Sequence, residues 1–265
     1  MLRDVAIAFL VPMLLAACAT TPAADGAARA ALAPTGKLRV GVYLGSPTSY
    51  VAAGAGTEAR GVGYDVGRAM AERLGVPFEP VIFPSNAQLY EAFHAGRIDV
   101  LLTNATEDRK RFIDFSAPVL FIEKSYLVSA GSAIADAAAL DRKEVRIGVS
   151  QGSTTSTELG RILKNPAFVP APSLAEGGRM LADGRIDAYA SNNAILYEMG
   201  DRLPGSRVLP GRWGTESFAL GIPKGRGAGQ AWLDAFARQA RADGTVSRAA
   251  ARAGVRGTFE DIETK

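Results

Sequence analysis

The chain has 265 residues and a mass of 27.7 kDa, enough for two compact lobes or one large domain. Hydrophobic residues at 48% and charged residues at 22% exclude a disordered chain and a multi-span membrane protein. The 30 Lys+Arg against 27 Asp+Glu leave a formal charge of +3, spread without a like-charge run, so nucleic acid is not indicated as a partner.

Residues 1–17 carry one early cation, Arg3, and then an apolar run interrupted by Pro12. The run is shorter than the roughly 20 residues a membrane span needs and reads as a secretory signal. Its end, Leu15-Ala16-Ala17-Cys18, resembles a bacterial lipobox, which implies cleavage before Cys18 and a lipid anchor on that residue. Cys18 is the only Cys, so the exported chain is expected to hold no disulfide and no Cys-based metal site. Residues 18–36, rich in Ala, Thr, Pro and Gly, read as a flexible tether.

Alternation predicts a strand over 37–42, and residues 64–74 read as a helix opened by Asp65 and stopped at Gly75. A short strand follows at 81–83. Next comes the first copy of a repeat: Ser85 with Gln88 spells a capping box, Gly96 is placed to stop that helix, and Ile98-Asp99-Val100-Leu101-Leu102 reads as a buried strand ending in a polar loop, Thr103-Asn104. The second copy has Ser173 with Glu176, Gly184, the strand Ile186-Asp187-Ala188-Tyr189-Ala190, and the loop Ser191-Asn192. Asp99 and Asp187 of the shared GRID letters are read as structural. His94, the lone His, falls on the polar side of the first repeat helix and reads as a surface residue.

In open α/β sheets ligands bind beyond the carboxyl ends of strands, so two such units predict two α/β lobes with polar loops facing one cleft. Thr106 is the expected N-cap of a helix whose first turn holds Glu107, Asp108 and Arg109. A cation is disfavoured there by the helix dipole. Arg109 therefore either grips an anion or pairs with Glu107 or Asp108 at the surface, and the residues leave both open. In the other half, a strand over 145–149 runs into Ser150-Gln151-Gly152-Ser153-Thr154-Thr155, where Thr155 with Glu158 spells another capping box. Gly152 lets backbone approach a ligand, and Ser153 and Thr154 offer donors. Residues 230–242 read as a helix with Trp232, Leu233, Phe236 and Ala240 on one face.

The segments KLRVGVYLG, GVGYDVGRAMAERLGV, TEDRKRFIDFSAP, VRIGVSQGSTT, DGRIDAYASNNAILYEM and FALGIPKGRG, in this order, resemble the family 3 extracellular solute-binding proteins of bacterial ABC importers. The resemblance implies an α/β, two-lobed, Venus-flytrap fold of the periplasmic-binding-protein type with two crossover strands. Lobe one is expected over 37–122 and 216–265, and lobe two over 123–215. It implies a periplasmic receptor that binds an amino acid or related small carboxylate for an inner-membrane permease, with no catalysis; the lipobox adds the lipid anchor, and a monomer with no cofactor and no metal is expected. By the family pattern Arg109 holds the α-carboxylate, helped by Asn104, while Gly152, Ser153 and Thr154 supply donors from the other lobe; Thr103, beside Asn104 in the polar loop, is a further candidate ligand residue. Tyr43, Ser46 and Tyr50 are placed near the cleft by their position after the first strand.

Three positions depart from the pattern. Asn192 stands where relatives place an Asp for the α-ammonium, Asn86 where an aromatic covers the ligand, and Leu102 where a small residue opens the loop. Asn cannot neutralise a charge. The ammonium grip is therefore expected to be weak, and Asn192→Asp to strengthen it. Two alternatives stand beside this reading: a cyclohexadienyl-dehydratase-like hydro-lyase on the same fold, which needs a carboxylic acid in the cleft, and a periplasmic sensory module.

Overall fold

The computed structural model describes residues 26–259, so the expected signal and Cys18 lie outside the described residues. The part of the expected tether that is described begins as a helix, α1 (Gly26–Leu32). Ala28 and Leu32 are buried in the core, and Arg29 Nε donates to the Leu74 carbonyl at 3.0 Å. Alanine favours helix as strongly as it fills a linker, and the Leu32 anchor decides between the two.

The chain continues through β1 (Leu38–Tyr43), α2 (Val62–Leu74), β2 (Phe78–Phe83), α3 (Asn86–His94), β3 (Val100–Asn104), the short α4 (Glu107–Lys110) and β4 (Ile113–Phe115). Gly75 closes α2 in the left-handed conformation at φ 69°, as its place predicts. The nine-residue crossing strand β5 (Leu120–Val128) leads to β6 (Arg146–Ser150), α5 (Thr155–Leu159), β7 (Ala167–Ala171), α6 (Leu174–Ala182), β8 (Ala188–Asn192), α7 (Asn193–Gly200) and β9 (Arg207–Val208). The second crossing strand, β10 (Gly214–Pro223), returns the chain to α8 (Gly227–Ala242) and α9 (Thr245–Ala253). No described helix is long and apolar enough to cross a membrane.

The strand order is β2-β1-β3-β10-β5-β8-β6-β7. Each lobe is thus a parallel three-stranded unit of one topology, and antiparallel β10 and β5 pair to join the units. Separate apolar clusters fill the lobes, one centred on Phe236, Met70 and Ile222, others on Leu159 with Ile147 and on Tyr189 with Leu196.

The repeat has a packing cause. Ser85 and Ser173 cap α3 and α6 by accepting from Gln88 N and Glu176 N, and Gly96 and Gly184 both sit at φ 66°. Each GRID then meets an Arg-Val-Gly or Arg-Ile-Gly triplet on the neighbouring strand. Asp99 takes the Arg39 guanidinium at 2.8 Å and the Arg39 N–H at 3.1 Å; Asp187 takes Arg146 at 3.0 Å and its N–H at 2.7 Å. The Ile of each GRID covers a glycine: a Cβ on Gly41 would lie 2.1 Å from Ile98 Cδ1, and one on Gly148 2.4 Å from Ile186 Cδ1. Both aspartates are structural, as expected.

Two local expectations fail. The strands β3 and β8 run on to Asn104 and Asn192, so the polar pairs end the strands and are not loops. The N-cap of α5 is Thr154 and not Thr155, and its side chain makes no capping bond. The Thr154 hydroxyl instead donates to Glu158 Oε1 at 2.6 Å.

Candidate functional site

The carboxyl ends of β3, β6 and β8 meet at the cleft, and the crossing strands floor it. Register places the floor residues on one face: Phe218 lies opposite Asn104, Gly214 opposite Lys124, and Lys124 opposite Asn192, with Glu216 in phase with Gly214 and Phe218. Strand alternation therefore aims Asn104, Glu216, Lys124 and Asn192 at one space.

Arg109 is buried at 7% exposure. Its Nη1 donates to Thr103 Oγ1 and to the Asn104 carbonyl, both at 3.0 Å, and its guanidinium lies 4.5 Å from the Tyr90 ring centre. Glu107 and Asp108, the surface partners it could have had, pair instead with Lys110 at 2.6 Å and Arg111 at 3.5 Å. A buried cation with neutral partners is short of counter-charge, which favours the anion-gripping alternative over the surface one. Thr106 caps α4 by position only; its hydroxyl is buried without a hydrogen-bond partner.

Of the remaining sequence-named residues, Thr103, Asn104, Ser153, Thr154, Asn192, Asn86 and Tyr43 line the same cavity as Arg109. Gly152 flanks it: its carbonyl accepts from Asn86 Nδ2 at 3.4 Å, a contact from lobe to lobe. Ser46 and Tyr50 do not reach the cavity. Ser46 is fully buried and bonded to Thr48 at 2.8 Å, while Tyr50 packs on Tyr64 at 5.4 Å between ring centres. The donors expected of the second lobe are partly spent, because the Ser153 N–H and O–H both go to the Ser150 carbonyl, at 3.0 and 2.7 Å. His94 is exposed and packs at a tilt against Phe112.

Glu216 is the residue the sequence reading missed. It accepts from Asn192 Nδ2 at 2.8 Å, and burial pushes its carboxyl above the ordinary range, with Lys124 opposing in part. Asn192 Oδ1 meanwhile caps α7 by accepting from Ile195 N at 3.1 Å. The cleft therefore does contain a carboxylate, and the expectation that Asn192→Asp would help loses its basis: it would set two carboxylates against each other.

The cavity these residues line is about 40 Å³, room for only a few waters. A larger groove of about 550 Å³ opens beside it, lined by Leu44, Val51, Leu174, Met199 and Leu203. Its charged rim is already paired, Arg179 with Glu176 and Arg202 with Glu198, so it offers a polar solute nothing to grip. Among the described residues no group of His, Cys, Asp and Glu could hold a metal ion.

Comparison with known proteins places the fold in a family. Residues 38–254 match the bacterial extracellular solute-binding proteins, family 3. The glutamine-binding protein of an ABC transporter from Bacillus subtilis (strain 168) is 28% identical over 151 residues, 56% of this chain and 55% of that one. The match thus spans about half the length of that relative, as it does for the glutamine-binding protein of Geobacillus stearothermophilus. An amino acid ABC transporter substrate-binding protein from Streptococcus pneumoniae Canada MDR_19A, solved bound to L-arginine, superposes with a TM-score of 0.76 at 20% identity, over 87% of this chain and 99% of that one. An ancestral amino acid-binding protein, described as a precursor of cyclohexadienyl dehydratase, superposes with a TM-score of 0.70 at 23% identity, over 82% of this chain and 94% of that one. At these identities the likeness carries the fold alone, while the family match covers most of the chain. The chain belongs to the bacterial extracellular solute-binding proteins, family 3.

Proposed function

We propose that this chain is the lipid-anchored receptor of an ABC importer, closing two lobes on an amino acid or related small carboxylate outside the inner membrane. The observation that carries the reading is Arg109, a buried guanidinium with no acidic partner among the described residues, at the junction of both lobes. Lobe one would comprise residues 37–122 and 216–265, and lobe two 123–215. Thr103 and Asn104 would hold the guanidinium in place, and the backbone about Gly152 would close on the solute from the other side. So small a space would admit a solute only once the lobes part, a hinge motion about the two crossing strands.

A thermal-shift screen of amino acids, their derivatives and simple carboxylates tests this. One chemical class should stabilise the protein, by about 2.7 kcal/mol at a hundredfold excess over Kd. A screen in which nothing shifts the transition sinks the reading.

Closure itself has a checkable contact. Gly152 sits at φ 79°, and a Cβ there would lie 2.7 Å from Ala87 Cα across the cleft. Gly152→Ala is expected to weaken solute binding about tenfold or more while lowering the unliganded transition by only about 1 kcal/mol, the local cost of its φ. Equal affinity in calorimetry would show that the lobes do not meet here.

Glu216 also favours a second reading. A hydro-lyase on this fold needs a carboxylic acid in the cleft, and Glu216 supplies one with a raised pKa. Release of an aromatic product from a cyclohexadienyl acid, followed by its absorbance, separates that enzyme from a receptor.

A further inference from the structure

The charges of the cleft resolve into one closed pair and two open ones. Lys124, buried on β5, is ion-paired with Glu158 Oε2 and lies 4.3 Å from the Trp213 ring centre. The other Glu158 oxygen accepts from the Thr154 hydroxyl at 2.6 Å. Arg109 has only neutral partners, and so does Glu216, whose bond comes from the Asn192 amide at 2.8 Å. One cation and one anion thus line a single cavity, neither in a direct ion pair among the described residues, and Lys124 and Arg109 act on Glu216 only through space.

We propose that Glu216 is the cation-recognising residue of this cleft and that the solute is a zwitterion with an uncharged side chain, its carboxylate on Arg109 and its ammonium on Glu216. The inference rests on the receptor reading above. Asn192 then orients the acid: one N–H of Nδ2 holds Glu216 while Oδ1 accepts from Ile195 N at the α7 cap, which fixes the amide between them. Removing the carboxylate from water is what raises its pKa, and a solute ammonium is the counter-charge that offsets this cost. The rest of the lining, including Tyr43, Asn86, Leu102, Ser150, Ser191 and Phe218, adds no further unpaired charge, which argues against a cationic or anionic side chain on the solute.

A pH signature follows. The groups facing Glu216 are Lys124, Arg109, Glu158 and Tyr43. Glu216 holds its proton to a higher pH in the unliganded fold than an ordinary carboxyl does, and a bound ammonium favours the ionised form. Binding must therefore release a proton within that window, and affinity must rise with pH through it and level off above.

The test uses the full chain and each of the common amino acids beside its N-acetyl derivative, by calorimetry. An amino acid with an uncharged side chain should bind, and its N-acetyl form about a hundredfold more weakly. Glu216→Gln keeps the shape and a partner for Asn192; it should lose about tenfold or more in affinity for the amino acid and flatten the pH profile. Proton release by the wild-type protein, measured in two buffers of different ionisation heat, needs no variant, and its absence overturns the proposal. So does equal binding of the N-acetyl form, an unchanged Glu216→Gln, or preference for a charged side chain, each of which leaves the receptor reading intact. If no amino acid and no carboxylate binds, the receptor reading falls and this inference with it.

Discussion

Arg109→Gln is expected to remove carboxylate binding, at a cost of about 3 kcal/mol or more, roughly a hundredfold or greater in Kd. The size follows from burial: at 7% exposure the guanidinium meets its anion away from water, where a charge-assisted pair is worth several times a surface one. Arg109 also ties down Thr103 and the Asn104 carbonyl, so loss of the guanidinium also releases the frame. Arg109→Lys separates the two causes. Lysine keeps the charge and loses the planar fork and the stack on Tyr90, so an intermediate loss of affinity is expected if the anion is the reason. The readouts are calorimetric Kd and the unliganded unfolding midpoint. Undiminished binding in Arg109→Gln would remove the carboxylate grip from the receptor reading.

Much of the frame was legible because its signals are local. Ser85 and Ser173 cap helices, Gly75 closes one, and Gly96 and Gly184 adopt the positive φ their places demanded. Arg109 could be narrowed to two fates from its helix position alone. What could not be read was pairing between distant segments. The partners of the GRID letters, Arg39-Val40-Gly41 and Arg146-Ile147-Gly148, were in plain view, yet nothing local says that the Asp would hold that Arg or the Ile cover that Gly. Glu216 and Lys124 did leave a trace. In β10 the residues in phase with Glu216 are Phe218, Leu220 and Ile222, and in β5 those in phase with Lys124 are Leu120, Ile122, Tyr126 and Val128. A charge in the apolar phase of a crossing strand is either an error of folding or a site. The α1 helix was missed for the opposite reason: composition pointed to a tether, and only the burial of Leu32 against Gly229 overrides it.

The same pairing logic sets the largest stability effect. Asp99→Asn is expected to destabilise the fold by about 3 kcal/mol, whereas the equivalent Asp187→Asn should cost about 1 kcal/mol or less. The letters are identical and the surroundings are not. Asp99 is fully buried and meets two guanidiniums, Arg39 at 2.8 Å and Arg226 at 3.1 Å, with side-chain exposures of 19% and 21%. Asp187 is 32% exposed and meets Arg146, itself 43% exposed, where water screens the pair and can replace it. Removing the Asp99 charge leaves two half-buried cations facing each other across a neutral amide, the case in which a broken buried pair is most costly. Because Arg226 begins the segment leading into α8, the loss also loosens the docking of that helix against α1, where Arg226 Nη1 donates to the Ala31 carbonyl at 3.1 Å. For a chain of this size about 3 kcal/mol lowers Tm by roughly 6–12 °C. Solute affinity should be unchanged in both variants, since neither Asp reaches the cavity. Equal midpoints for the two variants would show that burial does not distinguish the two copies of the motif, and a matching fall in affinity would show that the GRID aspartates belong to the site after all.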